Sequence, residues 1–171
     1  MITYVALLRA VNVGGTGKLP MSELRAMCES IGFTDVRTYI ASGNLVFSSK
    51  LSATSVKEQL ERRLETYAGK PVGVLIRTGA ELSAVLDGNP FKSAAPNRTV
   101  AIFLDAPPPA DTLTSMSGHQ AEEVALGTRE IYVHYGNGMA NSKLKIPAAR
   151  TGTARNMNTV ATLAEWAALR L

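Results

Sequence analysis

The residues best placed by type and spacing to do chemistry are Asn12-Val13-Gly14-Gly15-Thr16-Gly17-Lys18. The segment follows an apolar, β-prone stretch and leads into a helix-compatible one. Gly14, Gly15 and Gly17 free backbone N–H groups to turn toward an anion at a helix start, while Arg9 and Lys18 on either side supply positive charge. Nucleotide hydrolysis of the Walker type is excluded. Counted back from Gly17-Lys18, that motif needs glycine at position 12 and a hydroxyl residue at 19, where this chain has Asn12 and Leu19. A turn that simply requires three glycines is the competing reading.

A second polar cluster, Thr151-Gly152-Thr153-Ala154-Arg155-Asn156-Met157-Asn158-Thr159, is expected to open the last helix. Thr153 or Asn156 would cap it. Arg155 would then sit at the positive end of the helix dipole, where its charge is unfavourable unless an anion compensates. A bidentate contact from Arg155 to phosphate or carboxylate would meet that need. The expectation is that the two clusters face one pocket, with Arg155 and Asn156 opposite the glycine-rich loop.

The other reactive side chains offer less. Cys28 shares a helical face with Leu24 and Ile31 and reads as a buried thiol. His119 and His134 lack metal-ligand spacing, and a lone cysteine excludes an internal disulfide or a cysteine-based zinc site. Ser42 precedes Gly43 in a hairpin rather than in a nucleophile elbow. Tyr132 and Tyr135 could stack on a base, although strand packing suits them equally.

The elements that must position these groups read as α+β. Strands are expected at residues 3–9, 36–41, 45–47 and 71–77, with helices after Pro20 and from a Ser55/Glu58 capping box. Thr78 and Glu81 form a second capping box for a short helix ending near Gly88. The second half reads as strands at 98–104, 122–126 and 130–135, a short helix at 110–116, and a last helix over 155–169. Residues 1–67 and 98–169 thus share a β-α-β-β-α order. The expected fold is two pseudo-repeated β-α-β-β units with helices packed on mainly antiparallel sheets. The first, residues 1–88, is ferredoxin-like, and residues 98–171 form a C-terminal α+β subdomain.

Val11-Asn12-Val13-Gly14-Gly15, Lys18 and Met21-Ser22-Glu23-Leu24 resemble the N-terminal signature of the bacterial family called domain of unknown function 1697. Gly32-Phe33, Thr38-Tyr39-Ile40, Ser42-Gly43-Asn44 and Val46-Phe47-Ser48 continue the likeness. Thr153-Ala154-Arg155-Asn156 with Asn158-Thr159 resembles its C-terminal motif, with Met157 where such sequences usually carry Trp. The resemblance implies a compact cytoplasmic α+β domain with a duplicated arrangement, and it implies no activity.

Composition sets the outer limits. The chain has 171 residues, 46% hydrophobic and 19% charged, enough to bury a core. No uncharged apolar run approaches the ~20 residues of a membrane helix, and no secretory leader is expected. The net charge of +4 is too mild to imply nucleic-acid binding by itself. Acidic residues are nevertheless missing from 1–22, 36–57 and 131–164, which hold nine lysines and arginines able to attract an anion. The sequence therefore points to a cytoplasmic protein that binds a phosphate-bearing small molecule, nucleotide or nucleic acid, without a cofactor. An enzyme acting on a small anionic substrate and a non-catalytic interaction domain are the alternatives.

Overall fold

The computed structural model describes residues 1–9, 18–40, 42–136 and 139–170. The chain divides into two compact units, Met1–Leu82 with Leu163–Leu171, and Ser83–Thr162.

Unit 1 is built on a four-stranded antiparallel sheet, sheet A. Its strands are β1 (Ile2–Leu8), β2 (Thr34–Tyr39), β3 (Asn44–Ser49) and β4 (Val74–Thr78), in the order β2-β3-β1-β4. Strands alternate faces with period two. Tyr4, Ala6, Leu8, Leu45, Phe47, Val74 and Ile76 therefore share the face covered by helices α1 (Met21–Ile31) and α2 (Ala53–Ala68). Phe33 stacks on Phe47 within this core, with ring centroids 4.4 Å apart. Val5, Leu7, Val46, Leu75 and Arg77 occupy the opposite face and are buried too. The C-terminal part of helix α4 (Met157–Ala168) meets that face, where Arg170 reaches the backbone oxygen of Val46.

Local chemistry sets the helix limits. α1 stops at Gly32, whose φ of 102° is open to glycine at little cost. α2 begins a turn earlier than its expected capping box: Ser52, not Ser55, is the cap, and its hydroxyl accepts from the Ser55 N–H at 3.2 Å. The Thr78/Glu81 box forms in both directions at the start of α3 (Gly79–Asp87). The Thr78 N–H donates to Glu81 at 2.8 Å and the Glu81 N–H donates to Thr78 at 3.1 Å.

Unit 2 repeats the strand plan. Strands β5 (Thr99–Phe103), β6 (Glu123–Leu126), β7 (Glu130–His134) and β8 (Thr153–Asn156) form antiparallel sheet B, ordered β6-β7-β5-β8. Two local expectations are corrected here. The helix expected at 110–116 is a run of turns. The Thr112 and Thr114 hydroxyls bond back to the carbonyls of Pro109 and Asp111, and Ser115 bonds the Asp111 carboxylate. Such local bonds compete with a helix. The second correction concerns Arg155, which lies in β8 and not in a helical first turn. Residues 153–156 pair with β5, and the ladder satisfies backbone groups that a longer helix would have used. α4 starts at Met157.

Candidate functional site

One end of sheet A gathers polar and conformationally unusual residues. Beyond β1, the Leu8 N–H donates to the Gly43 carbonyl and the Arg9 N–H to the Gly73 carbonyl, each at 2.9 Å. The β2–β3 turn and the start of β4 therefore flank the point where the chain leaves for residues 10–17. A Cβ on Gly73 would sit 3.1 Å from Arg9 Cδ, so the missing side chain makes room for the arginine stem. In the turn, Ile40 has φ 48° and Gly43 φ 86°. Positive φ is disfavoured for a β-branched residue and marks stored strain. The buried Asn44 holds the turn, its amide donating to the Tyr39 carbonyl and to the Ser42 hydroxyl oxygen, both at 2.9 Å.

Lys18 is exposed, and the next residue, Leu19, is buried in the helix-side core. Arg9 and Leu19 thus fix both ends of the glycine-rich segment. Asn12, Gly14, Gly15 and Gly17 lie outside the described residues, and with them the expected meeting of the two clusters.

The second cluster is a different kind of place. Arg155 is 7% exposed. Its Nη1 donates to Thr153 Oγ1 at 2.7 Å and to the Ala154 carbonyl at 3.0 Å. Burial lowers its pKa to about 10, which leaves it a cation at neutral pH. Asn156 is the cap of α4, its Oδ1 accepting from the Thr159 N–H at 3.0 Å. Met157 is buried at the helix start.

The same pattern recurs in unit 1. Arg77 faces Val5 in the β1–β4 ladder as Arg155 faces Ala101 in the β5–β8 ladder. Each arginine donates to the carbonyl just before it in the chain, Ile76 or Ala154, at 2.9 and 3.0 Å. Each precedes a helix cap, Thr78 or Asn156. The sequence reading missed Arg77. The available signal was an arginine in an otherwise apolar strand two residues before a helix.

The remaining candidates settle into structural roles. Cys28 is fully buried, and burial with the nearby Glu29 pushes its thiol up to about 12. Tyr132 is buried and donates to the Val85 carbonyl at 2.8 Å. The Thr99 hydroxyl gives its hydrogen to Ala95, so the 3.2 Å contact with His134 Nδ1 places the imidazole proton on that nitrogen. No group of three or more His, Cys, Asp or Glu among the described residues could hold a metal ion. Among the same residues, no helix is long and apolar enough to cross a membrane.

Residues 1–132 match the family described as "Protein of unknown function (DUF1697)". The solved structure of conserved bacterial protein SP0830 from Streptococcus pneumoniae is similar at 26% identity, with a TM-score of 0.79, over 96% of this chain and 97% of that one. No curated protein matches the chain.

Proposed function

Because the chain belongs to the DUF1697 family, whose description assigns no activity, we propose its function from the end of sheet A: unit 1 binds an anionic, phosphate-bearing ligand there. The observation that carries this reading is the placement of Arg9 across Gly73, beside the strained Ile40–Gly43 turn and at the root of the glycine-rich segment. Backbone N–H groups of that segment would hold oxyanions, Arg9 and Lys18 would balance their charge, and the helix dipole of α1 would add to the attraction. Binding suffices for the proposal, and no nucleophile is assigned.

We also take unit 1 as ferredoxin-like, on its β-α-β-β-α-β order, and the protein as cytoplasmic and bacterial. The lone buried Cys28 and the likeness to a bacterial protein support that reading.

The test is thermal unfolding with inorganic phosphate, nucleoside monophosphates and nucleoside triphosphates, each over a concentration series. A ligand at about 100 times its Kd adds about 2.7 kcal/mol of stability. Arg9→Ala should weaken binding by about 1.5–3 kcal/mol, the scale of a charged hydrogen bond. Arg25→Ala, which breaks only an exposed pair with Glu29, should leave it unchanged. Shifts of equal size in wild type and Arg9→Ala would sink the proposal.

A further inference from the structure

On the second face of sheet A, two arginines and an aromatic pair meet beside edge strand β2. The Arg37 guanidinium lies 3.5 Å from the centroid of the Trp166 ring. Tyr39 meets Trp166 edge-on, with centroids 5.2 Å apart and planes at 80°. Arg170 lies just beyond the end of α4, four residues after Trp166, and its Nη2 reaches the Val46 carbonyl at 3.4 Å. Val46 is the residue directly opposite Arg37 in the β2–β3 ladder. Both arginines thus lie about Trp166 and Val46, and burial first, with the Arg37 charge as a smaller cause, lowers the Arg170 pKa.

Among the described residues, neither guanidinium has an acidic partner within ion-pair distance. Arg37 is exposed and makes no hydrogen bond or ion pair among the described residues, and among the same residues the buried Arg170 Nη1 has no hydrogen-bond partner. Asp35 is the nearby acid that favours the Arg170 charge, yet it forms no ion pair with it. Like charges held together on a face where Arg37 is exposed fit an external oxyanion better than a purely structural role. Two planar forks offer more donors than the two oxygens of a carboxylate accept, and they match the several oxygens of a phosphate.

We infer that Arg37 and Arg170, flanking Trp166, form a second site in unit 1 that takes the phosphate group of a free phosphate or a nucleoside phosphate. Stacking on Trp166 holds Arg37 in place before the ligand arrives, so little side-chain freedom is lost on binding. The inference is separate from the end-of-sheet reading, since Arg9 and Lys18 take no part in it.

Trp166 is the only tryptophan in the chain, so its emission reports this site. Inorganic phosphate and adenosine 5′-monophosphate are titrated separately into the full-length protein at low salt, with excitation above the adenine band. The expected result is a saturable change in Trp166 emission. It should weaken by at least about tenfold in Arg37→Ala and in Arg170→Ala, and persist in Arg9→Ala. Tighter binding of the nucleotide supports a nucleoside phosphate, and equal binding supports free phosphate. Arg170→Lys, which keeps the charge without the planar fork, serves if Arg170→Ala fails to fold, and should also bind more weakly. A flat emission with both probes overturns the inference. So does an unchanged response in the Arg37 and Arg170 variants, or a response lost only in Arg9→Ala, which would assign the ligand to the other site.

Discussion

Sheets A and B share one strand plan and differ in what covers it. In each, the first strand lies between the third and the fourth, and the second strand forms an edge. In unit 1, α1 and α2 cover one face with a core that includes Leu24, Cys28, Leu60 and Leu64. In unit 2, the corresponding face of Val100, Ile102, Leu104, Ile131 and Val133 is packed by Leu144, Ile146, Ala148 and Ala149. Those residues belong to a segment with no helix longer than the single turn Pro147–Thr151. A sheet face needs apolar cover, and regular structure in the covering segment is optional. The buried arginine and the helix cap after the fourth strand are present in both units.

If the repeated arginine supports the shared plan, removing it should be the most damaging single change in either unit. Arg77 is 1% exposed and Arg155 7%. Arg77→Ala empties a large buried volume and removes the hydrogen bond to Ile76, so a loss of about 3–5 kcal/mol is expected. Arg155→Ala should cost somewhat less, about 2–4 kcal/mol. Urea unfolding measures both. Arg→Met variants keep the volume, so the difference between Met and Ala separates packing from polar contacts. A neutral result at Arg155 with a large one at Arg77 would break the equivalence.

The strand framework was legible because alternating or continuous apolar runs and glycine-rich turns are local signals. The repeat was visible for the same reason: residues 5–8 and 100–103 are alike in pattern. The covering elements of unit 2 were less legible. Residues 110–116 carry helix-compatible spacing, and the hydroxyl bonds that defeat a helix there depend on side-chain geometry. The sequence around Arg155 reads as helical because nothing local announces that β5 has an open edge for residues 153–156. Trp166 gave no motif, since its neighbours Arg37 and Tyr39 are more than 120 residues away in sequence. Gly73 carries no local signal, because its role is set by Arg9, which lies across it from the end of a distant strand.

Acid should separate the units next. Glu122 ties two segments of unit 2 together, accepting from the Ser142 hydroxyl and from the Gln120 N–H. Those bonds, Ser142 first, hold its carboxyl below the ordinary value of 4.5. A lowered pKa gives stabilisation that is present above 4.5 and lost as pH falls through the lowered value. Amide hydrogen exchange, corrected for intrinsic rates, should show residues 117–122 and 142–145 opening in that window. Glu122→Gln should open them at every pH and flatten the dependence. If both units loosen in parallel in the wild type and in Glu122→Gln, this tether does not distinguish them.

Alkali should act on unit 1 through its one thiol. Burial first, and Glu29 second, raise Cys28 from 9.0 to about 12. The unfolded chain therefore ionises Cys28 before the folded one does. The sign is the reverse of the Glu122 case: stability is intact below 9.0 and declines as pH rises toward 12. Buried and half-buried tyrosines also lose ground in alkali, since Tyr4, Tyr132 and Tyr135 are all raised above 10.0. Their onset lies one unit higher, so the first part of the alkaline decline belongs to Cys28. Cys28→Ala should remove that part while leaving the later decline. The same thiol reports opening directly, because a buried, protonated sulfur reacts with a maleimide or disulfide reagent only after unit 1 opens. Labelling at pH 8 should be slow in the wild type and faster in Arg77→Ala than in Arg155→Ala. Equal acceleration would mean that the two arginines support a single cooperative structure. Rapid labelling of the wild type would mean that Cys28 is not enclosed by α1 and its core.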